Sequence, residues 1–102
     1  MVFVVRDAAG NALVSLSGRF DAHEVSAVRP VLRAAIARAT TGTSVWVELS
    51  GTDFFDSYAL RELVDARAAG SVKGVTVRIT GPSQPVRSVM TLAGVTPELV
   101  AA

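Results

Sequence analysis

Asp56 and Ser57 stand where a strand-like run gives way to a helical one. A serine hydroxyl at the start of a helix meets outward-pointing backbone N–H groups and the positive end of the helix dipole. A group that carries or contacts a phosphate is favoured there. Aspartate and serine both cap helices, so Ser57 is left free if Asp56 takes that task. The plainer reading makes Ser57 a cap and nothing more. Tyr58 follows directly and adds an aromatic side chain of the kind that anchors interfaces. Asp21 closes an earlier strand; on its own it reads as a loop residue bonding nearby backbone N–H groups. The only histidine, His23, lies two residues beyond it. A Ser-His-Asp triad needs a base within hydrogen-bond reach and an oxyanion site, and the strained Gly-x-Ser-x-Gly elbow is absent. His23 therefore reads as a solvated residue at the start of a helical segment. The chain has no Gly-x-Gly-x-x-Gly or Walker pattern and no cysteine. A dedicated nucleotide site, a thiolate zinc site and a cysteine nucleophile lose their sequence support. No enzymatic activity and no cofactor or metal is expected.

The elements that must position these residues follow from periodicity. Val2–Arg6 is a β-branched run, Asp7–Asn11 a turn, and Ala12–Ser17 a second strand that closes a hairpin. Gly18-Arg19-Phe20-Asp21 ends it. Over Ala22–Ala39, the residues Val28, Val31, Leu32, Ala35, Ile36 and Ala39 recur at helical spacing. Pro30 costs roughly 3 kcal/mol in a helix interior. An N-cap at Ser26 would place it in the first turn; a kink is the alternative. Ser44–Ser50 alternates cleanly, with Val45, Val47 and Leu49 on one face and Trp46, Glu48 and Ser50 on the other. Gly51–Phe55 reads as a loop. A helix then runs to about Ala69, with Leu60, Leu63 and Val64 as its stripe and Gly70 as its cap. Val75–Thr80 is another alternating strand. Ser83 starts a short helix carrying Val86, Val89, Met90 and Leu92, stopped by Gly94, and Thr96-Pro97 could begin a last turn.

The resulting order, β-β-α-β-α-β-α-α, implies an α/β fold with parallel pairing and right-handed crossovers. Alternating strands, rather than continuous apolar runs, put the helices mainly on one face. The expectation is a mixed sheet of about four strands with an antiparallel N-terminal strand. Trp46 falls on the face left open and is a candidate contact. Ligands and partners gather at the carboxyl ends of parallel strands, which here carry Asp21, Asp56-Ser57 and Gly81–Ser83. Neighbouring strands would bring Asp21 and Ser57 onto adjacent loops.

A length of 102 residues suits a single domain spanning 1–102. Half the residues are apolar and 19% charged, a balance that builds a core. A formal net charge of +1 with interspersed signs supplies no field for nucleic acid or an anionic membrane. No apolar run approaches the roughly 20 residues that span a bilayer, and the N-terminus lacks the pattern of a signal peptide. A cytoplasmic location is expected, with no direct membrane insertion.

The combination of Gly18-Arg19-Phe20-Asp21 after one strand and Val47-Glu-Leu-Ser-Gly-Thr-Asp-Phe-Phe-Asp-Ser-Tyr-Ala-Leu60 after another resembles the STAS family of anti-sigma factor antagonists, in its bacterial anti-anti-sigma (SpoIIAA-like) form. Pro85-Val86-Arg87 through Leu92-Ala93-Gly94-Val95 is similar to that family's third helix and its glycine stop. The resemblance runs from about Val2 to Val95. It implies a STAS βα superhelix and a partner-switching regulator of transcription. Its partner would be an anti-sigma factor with serine kinase activity, and a phosphatase would reset the phosphorylated form. The resemblance assigns the phosphoacceptor to Ser57 and the partner-binding surface to Asp21, Asp56, Ser57 and Tyr58. The family pattern usually reads Asp-Ser-Ser/Thr-Gly-Leu, whereas this chain reads Asp56-Ser57-Tyr58-Ala59-Leu60. Stand-alone domains of this kind also resemble small subunits of lipid transporters and parts of stress-signalling assemblies, which bind without phosphorylation.

Overall fold

The computed structural model describes residues 1–95. The elements are β1 (Val2–Ala8), β2 (Asn11–Phe20), α1 (Val25–Arg38), β3 (Ser44–Glu48), β4 (Thr52–Phe55), α2 (Ser57–Lys73), β5 (Thr76–Thr80) and α3 (Gln84–Leu92). The sheet runs β1-β2-β3-β5, with β4 joined to the far end of β2. β1 is antiparallel to β2 and every other pairing is parallel. The alternation has its predicted consequence. Val14 and Leu16 of β2, Val45 and Val47 of β3, and Val77 and Ile79 of β5 are all buried. They form one core with Val28, Leu32 and Ile36 of α1, Leu60 and Leu63 of α2, and Val86 and Met90 of α3. The intervening residues of the strands face the other way and are partly exposed.

The sheet has five strands rather than four. Thr52–Phe55, expected as a loop, is β4. Its pattern of buried, exposed, exposed, buried does not alternate, so periodicity alone does not reveal it. The strand exists because β2 continues to Phe20, three residues past its expected end. Ala12–Ser15 pair with β3, and Gly18–Phe20 pair with β4. The register shifts between Gly18 and Arg19. Gly18 has φ +100°, a conformation that glycine adopts without strain. At the other end the hairpin turn is tighter than expected, with Asp7, Ala8 and Asn11 paired in the strands.

Three helical expectations change. α1 starts at Val25 with Glu24 as N-cap, so Ser26 is not the cap and Pro30 lies in the second turn. The chain turns into the helix earlier because the Glu24 N–H donates to the Asp21 carbonyl. Ser26 and Pro30 are both exposed, which leaves water to satisfy the carbonyl that proline cannot bond. α2 runs on to Lys73 and is capped by Gly74 at φ +79°, not by Gly70. Gly70 is buried inside the helix, where a Cβ would lie 2.7 Å from the Val75 carbonyl oxygen and 2.9 Å from Val77 Cγ2. Its role is close helix–strand approach. Val64 and Leu92, placed on core stripes by spacing, are exposed. The expected turn at Thr96-Pro97 lies outside the described residues.

Candidate functional site

The parallel pairing of Phe20 with Phe55 decides the local geometry. Both rings are buried and meet edge to face, with centroids 5.6 Å apart. The next residue on each strand is an aspartate, so Asp21 and Asp56 emerge together at the carboxyl edge. Below them the Thr52 hydroxyl donates to the Leu16 carbonyl at 3.0 Å. The Ser83 hydroxyl donates to the Thr52 carbonyl at 2.5 Å, which ties the start of α3 to β4.

Asp56 is fully engaged. One carboxylate oxygen accepts from the Ala59 N–H at 2.9 Å and caps α2. The other accepts from the Ala22 N–H at 3.1 Å, across 34 residues of sequence. The carboxylate therefore clips the loop after β2 to the start of α2. Ser57 is the first helical residue and is exposed, with the capping task already taken by its neighbour. Tyr58 projects outward at 64% exposure.

Asp21 is nearly buried. Its Oδ2 accepts from Arg19 Nε at 2.6 Å and its Oδ1 from the His23 N–H at 3.0 Å. The hydrogen bond from the Arg19 guanidinium, helped by the backbone N–H groups and opposed by burial, holds its carboxyl below the usual carboxylate range. The Arg19 guanidinium lies 3.7 Å from the centroid of the Phe54 ring, itself partly exposed. This places a cation and an aromatic face on the rim of the same edge.

The structure thus places Asp21, Asp56, Ser57 and Tyr58 along one edge, with the Asp56–Ala22 bond joining the two loops. His23 enters only through its backbone N–H, and it forms no side-chain bond to Ser57. Among the described residues no group of histidine and acidic side chains is placed to hold a metal ion. No helix among them is long and apolar enough to cross a membrane.

Two features escape the sequence reading. Arg19 and Phe54 belong to the edge, and the strand spacing of Arg19 from Asp21 was the available signal. The second is Glu62, which is buried on α2 and accepts from Arg29 Nε of α1 at 2.6 Å. Its signal was a lone charge on the stripe of Ala59, Leu63 and Ala66.

The family model described as "Mlab, STAS domain" matches residues 4–101. No curated protein matches the chain in sequence. Among solved structures, the anti-sigma factor antagonist SpoIIAA in its unphosphorylated form aligns at 23% identity, covering 94% of this chain and 84% of that one, with a TM-score of 0.73. The phosphorylated form of the Bacillus protein aligns at 22% identity over 94% and 86%, with a TM-score of 0.69. An anti-sigma factor antagonist from Mycobacterium paratuberculosis aligns at 25% identity over 97% and 81%, with a TM-score of 0.74. A STAS domain protein from Planctomyces limnophilus aligns at 18% identity over 96% and 86%, with a TM-score of 0.78.

Proposed function

As the chain belongs to the STAS domain family, we propose that it is an anti-sigma factor antagonist. It binds an anti-sigma factor with serine kinase activity through the edge carrying Asp21, Asp56, Ser57 and Tyr58. Phosphorylation of Ser57 ends the complex, and a phosphatase restores it. One observation carries the reading: Asp56 takes the cap of α2, so the Ser57 hydroxyl stands exposed at the helix start with no structural duty. The solved phosphorylated and unphosphorylated forms of SpoIIAA support the same chemistry.

A phosphate at Ser57 adds a charge of roughly −1.5 to −2. The α2 N-terminus stabilises it within this chain. In a desolvated interface beside Asp56 and Asp21, the same charge repels an acidic or apolar partner surface. Such a switch requires no large rearrangement of the fold. The test is incubation with ATP and the kinase encoded nearby, with phosphate mapped by mass spectrometry. Modification at Ser57 is expected; a bound kinase that leaves Ser57 unmodified removes the acceptor assignment. Ser57→Asp should weaken the complex by about tenfold or more, in line with like charge at an interface, and Ser57→Ala should preserve it. Equal affinities would remove the electrostatic switch.

A second reading keeps the fold and drops the phosphorylation. The family model's description, Mlab, differs from the anti-sigma wording of the solved relatives. Tyr58-Ala59 also replaces the small-residue pattern after the acceptor. On this reading the same edge binds, without modification, in a lipid transporter or stress-signalling complex. Neighbouring genes for a kinase and sigma factor favour the first reading, and genes for a transporter ATPase favour the second.

A further inference from the structure

The helices leave one face of the sheet open, and its side chains are ordered by charge. Register places Arg6 of β1, Leu13 of β2, Trp46 of β3 and Arg78 of β5 in one row across the strands. The row is apolar in the middle and cationic at both ends. The next row, Val4, Ser15, Glu48 and Thr80, has its single acid already engaged, because Glu48 accepts from the Ser50 N–H and hydroxyl. Val2 and Val4 extend the apolar strip along β1 and are exposed. A shallow depression lined by Arg6, Ala8, Asn11, Leu13, Ser44 and Trp46 lies at the hairpin end of this face. The Arg78 guanidinium stands 5.6 Å from the Trp46 ring centroid. Arg6 makes no ion pair among the described residues.

We propose that this face docks an amphipathic helix of a partner protein whose apolar stripe is flanked on both sides by acidic residues. Three spacings separate the four strands, so the two arginines are about 14 Å apart at the backbone. A helix with its side chains is about 10–12 Å across. Laid along β2 and β3, it would cover Leu13 and Trp46 and bring a carboxylate to Arg6 on one flank and to Arg78 on the other. The charge pattern argues against a lipid surface, since two arginines on a chain of net charge +1 give little attraction to an anionic bilayer. The face is separate from the Ser57 edge, so this docking does not depend on the phosphorylation switch.

Trp46 is the only tryptophan and reports directly. The probe is a synthetic amphipathic helix with a Leu/Ala stripe and glutamates on both flanks, titrated into the full chain at low salt. A saturable blue shift of Trp46 emission is expected. Binding should fall about tenfold or more for the Arg6→Glu/Arg78→Glu double variant, and equally for a peptide flanked by lysines, because charge complementarity sets the selectivity. Ser57→Asp should leave binding unchanged. Circular dichroism checks that the double variant folds, and the single Arg6→Gln variant serves if it does not, with a smaller loss expected. Equal binding of the two peptides, no saturable shift, or a loss caused by Ser57→Asp would overturn the proposal. So would a shift produced only by phosphatidylglycerol vesicles, or one that follows from raising the protein concentration alone. The first would make a bilayer the occupant, the second another copy of this chain.

Discussion

Two arginine–carboxylate pairs in this molecule share one distance and differ in everything else. Arg19 reaches Asp21 at 2.6 Å, and Arg29 reaches Glu62 at 2.6 Å. The first pair spans two residues of one strand end. The second spans 33 residues and joins α1 to α2. The Asp21 side chain keeps 12% of its surface in water, whereas Glu62 keeps none. A pair made by neighbours in sequence orients a loop and adds little to the folded state, since the Arg19 side chain is more than half exposed and its attraction is screened by water. A pair that buries a carboxylate makes the fold depend on the partner, because removal leaves an uncompensated charge inside. The candidate edge and the helix interface are thus built from the same chemistry in different surroundings.

The largest expected effect tests that contrast at the helix interface. Arg29→Ala should destabilise the protein by about 2–4 kcal/mol, somewhat below the full penalty for breaking a buried pair because Arg29 is half exposed. Urea unfolding measures it. Partner affinity per folded molecule should not change; a stability loss below about 0.5 kcal/mol, the level of an ordinary surface change, would break the comparison. Glu62→Gln should cost less, since a neutral amide still bonds and no charge is stranded.

Asp56→Ala comes next, at about 1–2 kcal/mol for a lost helix cap together with the bond to the Ala22 N–H. It differs from Arg29→Ala in its second readout. Amide exchange at Ala22 and Ala59 should rise locally, while the core of α1 stays protected. Uniform loss of protection would mean that the edge is no more separable than the helix interface.

The smallest effect belongs to Arg19. The Asp21 carboxyl titrates below its unfolded value, so its contribution to stability is present above about pH 4 and is lost as the pH falls through the depressed folded value. In Arg19→Ala that acid-side loss should shrink. The difference between unfolding midpoints at pH 7 and pH 3 measures it, and an unchanged difference would show that Arg19 does not hold the Asp21 proton affinity down. At pH 7 the stability change should be slight, in contrast to Arg29→Ala.

Most of the fold was legible because alternation and helical spacing are local signals. The two alternating strands β3 and β5 and the helices α2 and α3 followed from Val45, Val47, Val77, Ile79, Leu60, Leu63, Val86 and Met90 alone. The exceptions share a cause. β4 carries no alternation and owes its existence to the far half of β2. Gly70 looked like a stop until the approach of Val75 and Val77 gave it a packing role. Ser26 looked like a cap until Asp21 was seen to fix the start of α1 through its carbonyl.

The candidate edge divides the same way. Asp56 followed by Ser57 at a helix start is a statement about neighbours, and the residue types already imply one cap and one free hydroxyl. Which of the two caps was settled by geometry, with the carboxylate 2.9 Å from the Ala59 N–H. That the second carboxylate oxygen holds the loop after Asp21 was beyond any local pattern, as was the meeting of Arg29 with Glu62. The sequence by itself determined the periods, the breaks and the chemistry on offer. The tertiary structure decided which distant groups share that chemistry, because strand register and helix packing, not spacing along the chain, bring residues 22 and 56 or 29 and 62 within bonding distance.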